Sequence, residues 1–292
     1  MARKGIQLAY PFEERRFHKW GNRAFIQPKL DGDRMRAIFD EFGRVTLVSS
    51  EENERIFFPL IVTALEDLEL RSIELDGEAY IHGLPHEEIH SIVSRSVNQH
   101  PDANKMRFHV FDLIHEQIPQ FTRITALNQV MLQNKSAYIV PVETHLIDSV
   151  NDVYRWQEKF LDEEYEGFIL RHPNAYYLRR RSTFMMKFKP KKKDCYKILG
   201  YEEEIDKYGH PKGTLGAFKC EANDGSGTTF SVGTGFSADQ RREYWLARDT
   251  LVGLWAHVKY QNITATGRVP RHPVFIEISD KGMEDLDVYE VE

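Results

Sequence analysis

The run IQPKLDGDRMR carries a lysine, Lys29, at the end of an alternating stretch in which Phe25, Gln27 and Lys29 share one face. Pro28 and the Asp31-Gly32 pair close that stretch, so the amine is displayed at a strand terminus beside a turn instead of being packed in a core. An amine in that position is a candidate nucleophile, although a lysine beside Asp-Gly also suits a plain surface hairpin. Three further runs share its character. In MMKFKPKK, Lys187 and Lys189 take one strand face while Met186 and Phe188 take the other, as when a core strand presents two cations to one ligand. In EGFILR, Glu166 heads a strand and shares a face with Phe168 and Leu170. In ELDGEAY, Glu74, Asp76 and Glu78 are coplanar if the strand runs through Gly77, which like-charge repulsion disfavours unless a turn or a cation intervenes. Lysines, carboxylates and glycines gathered at strand ends describe a nucleotide and a divalent metal.

A competing motif is HEEIH at His86–His90, which matches the zinc helix H-E-x-x-H with Glu87 as the base. Both histidines fall on one helix face, but Ile89, Ile92, Val93 and Val97 follow at core spacing and no third ligand appears downstream in a recognisable context. The expectation is a surface histidine pair at a helix start. Trp20, Trp156, Trp245 and Trp255 read as core residues.

The elements that must position these groups follow from periodicity. Period-two patterns predict strands over Arg23–Leu30, Val45–Ser49, Ile73–Ile81, Arg107–Ile114, Gly167–Arg171 and Thr183–Lys189. Helical spacing marks Phe57–Leu70, His86–Val97 behind Pro85, Ile124–Asn134 and Val150–Tyr165. Strands and helices intersperse without strict alternation, which predicts an α+β fold. Beyond Lys193 the texture changes. Short runs at Ala217–Ala222, Thr229–Val232, Leu254–Tyr260 and Val274–Ile278 alternate with glycine-rich turns, with one helix near Ala238–Leu246, and suit a small β-barrel. The lysine run Lys191–Lys193 is then expected to be the hinge.

Charge is segregated along the chain. The total is −6 over 292 residues, yet Arg171, Arg179, Arg180, Arg181, Lys187, Lys189, Lys191, Lys192 and Lys193 follow one another with no Asp or Glu between. One sign concentrated this strongly is the electrostatic footprint of a polyanion site. With 41% hydrophobic and 29% charged residues, the composition excludes a collagen, a mucin, a disordered tail or a disulfide scaffold. No apolar run approaches the roughly 20 residues of a membrane helix, and the N-terminus lacks the apolar core of a secretory signal, so no membrane association and a cytoplasmic location are expected. Cys195 and Cys220 are too few and too far apart for a zinc ribbon, and read as reduced core residues. The acidic tail from Glu284 to Glu292 is expected to fray.

The ordered series KLDGDR, ELDGEAY, FHVFDLI, EGFILR and MMKFKPKK resembles the motifs of the covalent nucleotidyltransferases, the ATP-dependent polynucleotide ligases and mRNA capping enzymes. The stretches GTLGAFKCEANDG, FSVGTGFSADQRREYW, VGLWAHVKYQ and GRVPRHPVF look like the OB-fold domain of ATP-dependent DNA ligases specifically. The chain therefore resembles a minimal two-domain ligase of the phage, viral or bacterial type, since only 28 residues precede Lys29. The resemblance implies an α+β nucleotidyltransferase (adenylation) domain over residues 1–190 and a small all-β OB-fold barrel over 191–292. It implies ATP as cosubstrate, Mg²⁺ or in its place Mn²⁺, and nicked double-stranded DNA held by a monomer whose two domains clamp the duplex and swing between steps. Its setting would be DNA replication, repair or recombination.

Residue by residue, the resemblance makes Lys29 the nucleophile that becomes AMP-lysine. That step needs a neutral amine although an ordinary lysine titrates near 10.4, and neighbouring cations and burial are expected to favour its deprotonation. Gln27, Asp31, Arg34, Glu78, Phe111, Glu166, Lys187 and Lys189 would bind nucleotide, with Glu78 on the ribose and Phe111 stacked on adenine. Asp31 and Glu166 would place the metal. Arg171, Arg179, Arg180, Arg181, Lys191, Lys192 and Lys193 would contact DNA phosphates. Two departures bear on self-adenylation. Ser50 stands where an arginine is expected, with Arg55 as a substitute, and Ser279 stands near a second expected arginine, with Arg268, Arg271 or Lys281 as substitutes. The alternatives within enzymes are an RNA ligase or a capping guanylyltransferase, and outside them a catalytically silent nick-binding protein.

Overall fold

The structure, a computed structural model, describes residues 4–260, 263–264 and 268–280 together with the backbone of 289–290. Lys281 and the side chains of the acidic tail lie outside the described residues. The chain divides into two compact units, Met1–Lys189 and Pro190–Glu292.

The first unit runs β1 (Leu8–Pro11), α1 (Glu14–Lys19), β2 (Ala24–Pro28), β3 (Asp33–Phe39), β4 (Val45–Ser49), α2 (Pro59–Glu66), β5 (Ile73–Tyr80) and α3 (His86–Val93). It continues with β6 (Arg107–Ile114), α4 (Gln120–Met131), β7 (Ile139–Pro141), β8 (His145–Ile147), α5 (Val150–Asp162), β9 (Phe168–Arg171) and β10 (Arg181–Phe188). These strands form two five-stranded sheets, ordered β1-β10-β9-β2-β8 and β4-β3-β5-β6-β7. Only the pairs β1/β10 and β6/β7 are parallel. This is the mixed α+β architecture that the interspersed periodicities predict.

Each sheet buries one face under helices. Phe17 of α1 and Val153 and Phe160 of α5 pack on Ile26, Phe168, Leu170 and Met186 of the first sheet. Ile61 and Leu65 of α2, Ile89 and Ile92 of α3 and Leu127 of α4 pack on Met35, Phe39, Leu75, Phe108 and Val110 of the second. The helices begin where local chemistry starts them. Ser149 caps α5 by accepting from the Asp152 N–H, and Pro119 sets the start of α4 four residues ahead of the expected Ile124. The sequence reading missed β3 altogether. Its arginines at 34 and 36 each meet a carboxylate of β5, which lies alongside.

The second unit contains β11 (Lys191–Ile205), β12 (Pro211–Glu221), β13 (Thr229–Val232), α6 (Ala238–Leu246), α7 (Arg248–Leu251), β14 (Trp255–Tyr260), β15 (Val274–Ser279) and β16 (Tyr289–Glu290). The 15-residue β11 pairs with β14 through its first half and with β12 through its second, so one strand serves both arms of a sheet ordered β13-β12-β11-β14-β15. Its core is aromatic, with Phe218, Tyr196, Phe230 and Phe275. Ser237 and Gln240 form a capping box that starts α6. Two expectations are corrected. Among the described residues no pairing joins β13 to β15, so the sheet is not a closed barrel. The lysine run is not a linker either, because Lys192 and Lys193 pair with Tyr260 and Lys259 as the first rungs of β11. Ladder bonds use only backbone, so a charged run can enter a strand when its heads reach solvent. Cys195 and Cys220 are both buried and not joined in a disulfide, in line with the reading of two core thiols.

Candidate active site

Lys29 follows the end of β2, where the chain crosses toward the second sheet. Its N–H donates to the Gly167 carbonyl (2.9 Å) and its carbonyl accepts from the Glu166 N–H (3.1 Å), so the nucleophile candidate and the carboxylate at the head of β9 are locked opposite one another. Gly167 is required there: its φ is +144°, and a Cβ would lie 2.2 Å from the Phe188 carbonyl oxygen. The Lys29 amine ion-pairs with Glu166, and Lys189 reaches the other oxygen of the same carboxylate. Burial works to raise Glu166, but the charges of Lys29 and Lys189 overcome it and hold the carboxyl at about 2. Asp31 adjoins it, and burial together with the Glu166 charge pushes the Asp31 carboxyl above the usual range.

The second sheet supplies Glu78 and Phe111. Glu78 lies opposite Arg34 on β3, and burial raises it to about 7 against the pull of Lys29 and Arg34. The coplanar carboxylates of ELDGEAY do run through Gly77 in one strand, and cations resolve the repulsion: Arg36 and Arg179 on Glu74, and Arg34 on Asp76. Phe111 is the extra residue of a β-bulge, since Asp76 pairs with Asp112 and Gly77 with Val110. Its ring is buried, with the guanidiniums of Arg34 and Arg171 at 4.7 and 5.1 Å from its centroid.

Behind the reactive groups lies a buried polar network that spacing alone does not reveal. Asp112 accepts from Arg123 Nε (3.0 Å) and Arg171 Nη1 (3.1 Å), and Arg171 Nε donates to Gln27 Oε1 (2.7 Å). The Gln27 amide donates to the Phe111 carbonyl and to Thr144 Oγ1, which ties β2 to β6. Asp76 holds Arg34 in a bidentate pair and accepts from the Tyr177 hydroxyl (2.6 Å).

This network engages three residues expected at ligands. Gln27 and Arg34, expected on the nucleotide, are hydrogen-bonded to protein partners, Gln27 to Phe111, Thr144 and Arg171 and Arg34 to Asp76. Arg171, 2% exposed, is not a surface phosphate contact, because its strand turns it inward to Asp112. Of the functional positions that sequence reasoning missed, Asp76 and Asp112 lie inside quoted motifs, while Arg123 and Tyr177 carry no spacing signal.

Among the remaining cations, Lys187 is exposed and Lys189 is turned inward to Glu166. Arg179 is engaged by Glu74 and Glu116, and Arg181 donates to the Ala9 carbonyl. Arg180 and Lys191 are exposed, and Lys192 and Lys193 are half-buried. Ser50 follows β4, and the half-buried Arg55 keeps its Nε unpartnered in the interior. Ser279 bonds His257 Nε2 (2.8 Å), while Arg268 is exposed, 3.9 Å from Asp224.

A strand-end lysine sharing a carboxylate with a second lysine, set against a second sheet's carboxylates in an α+β unit, is the arrangement of the covalent nucleotidyltransferases. Residues 7–189 match the family model of the ATP dependent DNA ligase domain and residues 208–278 that of the DNA ligase OB-like domain, so the chain belongs to the ATP-dependent DNA ligases. The family's cosubstrate is ATP and its substrate DNA. The DNA ligase of Haemophilus influenzae is 25% identical over 202 residues, covering 69% of this chain and 70% of the relative. That of African swine fever virus (strain Badajoz 1971 Vero-adapted) is 30% identical over 159 residues, spanning 52% of this chain but only 37% of the relative. A solved structure from a structure-function study of Lig E DNA ligases, described as DNA binding with a minimal scaffold, matches with a TM-score of 0.71 at 25% identity, covering 94% of this chain and 99% of that one.

Proposed function

We propose that this ligase seals nicks between a 5′-phosphate and a 3′-hydroxyl in duplex DNA through AMP carried on Lys29. The observation that carries the reading is the shared carboxylate: Glu166 holds Lys29 and Lys189 together at the crossing between the sheets. In the first step the Lys29 amine, having lost its proton, attacks the α-phosphorus of ATP, a P–N bond forms, and pyrophosphate leaves with the electrons of the broken P–O bond. Lys189 remains beside the α-phosphate as a cation for its developing charge. Next, a 5′-phosphate oxygen at the nick attacks the adenylate phosphorus and returns the amine. Finally the 3′-hydroxyl attacks the 5′-phosphorus and AMP departs.

Asp31 and Glu166 fit a hard divalent cation, because two half-buried carboxylates crowd together and the charge of Glu166 helps to raise Asp31. Mg²⁺, or Mn²⁺ in its place, bound there would neutralise phosphate charge. Glu78 would receive the ribose hydroxyls, and Phe111 would wall the base. Arg180, Lys191, Lys192 and Lys193 would meet DNA phosphates, and the active species would be a monomer. The reaction would take place in the cytoplasm, where the buried thiols stay reduced.

Intact-mass measurement after treatment with ATP and Mg²⁺ should find one AMP adduct, absent in Lys29→Ala, and the wild type should seal nicked DNA in preference to nicked RNA. Preferential labelling by GTP would instead assign a capping activity, and a well-folded wild type that takes no label would leave only nick binding.

A further inference from the structure

The histidine pair of α3 has no part in the sealing reaction, yet it does not face solvent alone. His86 and His90 lie one turn apart with their rings stacked, 5.9 Å between centroids and 19° between planes. His90 Nδ1 is 2.8 Å from Asp33 Oδ2, the first residue of β3 and 57 positions upstream. One ligand atom from each of Asp33, His86 and His90 lies within 4.8 Å of the others. The HEEIH match thus has its third donor upstream, on a strand that periodicity did not reveal, and not downstream where a zinc-protease helix finds it.

A second observation points the same way. His86 Nδ1 is buried and has no hydrogen-bond partner, and Asp31 Oδ1, outside the cluster, is 3.9 Å away. A buried ring nitrogen left unpaired is costly unless something else occupies its direction. Two imidazoles and one carboxylate from two packed elements are the donor set of a borderline transition-metal ion, which prefers imidazole where Mg²⁺ prefers oxygen. An ion about 2 Å from each donor needs donors roughly 3–3.5 Å apart, so the cluster has to close by about 1 Å, which side-chain rotation on an exposed helix face can supply. Ile89, Ile92 and Val93 anchor the opposite face of α3 in the core, so the two histidines are presented by a fixed element.

We propose that Asp33, His86 and His90 bind one divalent transition-metal ion of the zinc type, separate from the carboxylate pair Asp31 and Glu166. The three protein donors leave at least one coordination position open. The ion clamps α3 to the start of β3, two residues from Asp31, and so restrains the Lys29–Asp33 turn.

The test titrates the metal-free full chain with Co²⁺ in the presence of excess Mg²⁺ and reads visible d–d absorption. The band should saturate at one equivalent and be displaced by Zn²⁺. His86→Gln and His90→Gln should each weaken binding about tenfold or more, whereas Glu166→Gln should leave it in place. His90 is an exposed side chain, so its variant is expected to fold, and unchanged melting of the metal-free variant checks this. Zn²⁺ should also raise the melting temperature of the wild type in the absence of nucleotide. The assignment is overturned by the absence of a band at several-fold excess Co²⁺, by a band that survives His90→Gln, by one that Mg²⁺ or Glu166→Gln removes, or by a wild-type melting temperature indifferent to Zn²⁺. Adduct formation on Lys29 is read separately, so failure here leaves the sealing reaction untouched.

Discussion

Two layers of charge sit within a few residues of each other in the first unit and are built on opposite terms. Around Lys29, one carboxylate serves two ammonium groups at strand ends, with side-chain exposures of 22% for Lys29, 9% for Glu166 and 16% for Lys189. Behind it, Asp112 and Arg123 are fully buried, and Asp112 is hydrogen-bonded to two guanidiniums and a backbone N–H. The front layer can trade partners for phosphate and metal at modest cost because solvent and ligand reach it. The rear layer cannot, because a buried charge stripped of its partner has no substitute. Reactivity and rigidity are thus separated by depth, and Gln27 and Phe111 carry the contact between the layers.

The largest effect that separates the layers is Lys29→Ala, which should lower adenylate formation by about 10⁴-fold or more while costing less stability than loss of a rear-layer carboxylate, because Lys189 still pairs with Glu166. Release of labelled pyrophosphate measures the first and equilibrium unfolding the second; a loss of stability to match the loss of activity would mean that the front layer is structural too. Asp112→Ala should do the reverse in kind, costing about 3–5 kcal/mol of stability by leaving Arg123 and Arg171 buried without their carboxylate. A variant that unfolds at the wild-type midpoint would break the distinction. Gly167→Ala lies between the layers: its backbone conformation and the blocked Cβ position should cost on the order of 1–3 kcal/mol and spoil the pairing of Lys29 with Glu166, so adenylation should fall in material that is still folded.

The pH dependence is a subtler probe. The folded Glu78 titrates at about 7, above its ordinary 4.5, so ionising it opposes folding, and stability from this group declines as pH rises from about 4.5 to about 7. Glu166 runs the other way. Held at about 2, it contributes stability above its ordinary 4.5 that is lost as pH falls toward 2. Urea midpoints at pH 5 and 7.5 should show Glu78→Gln flattening the first decline, and no difference from wild type would mean that desolvation does not raise Glu78. The smallest effect separates surface from network: Arg180→Ala should reduce the salt slope of DNA binding by about 0.9, and Arg179→Ala, whose guanidinium is already taken by Glu74 and Glu116, should change it less.

Much of this was legible in the chain. Lys29, Glu166, Lys189, Glu78 and Asp31 stood out as candidates because strand alternation and a few glycines are local rules, and a charged residue at a strand end has few bland explanations. Arg171 was misplaced, and the protein partners of Gln27 and Arg34 stayed hidden, for one reason: a polar residue on a strand looks the same in sequence whether it meets a ligand or another strand. The third donor beside His86 and His90 stayed hidden because Asp33 lies on another element, 57 positions upstream of His90.

By itself, then, the order of residues determined the class of fold, the candidate nucleophile and the division into a nucleotidyltransferase unit and an OB-like one, since each depends on patterns a few residues long. Only the tertiary structure decided which charges are exchangeable and which are sealed in. That property depends largely on partners far apart in the chain, such as Arg34 with Asp76, 42 positions away, and Arg171 with Gln27, 144 away, and burial by such partners leaves no local trace.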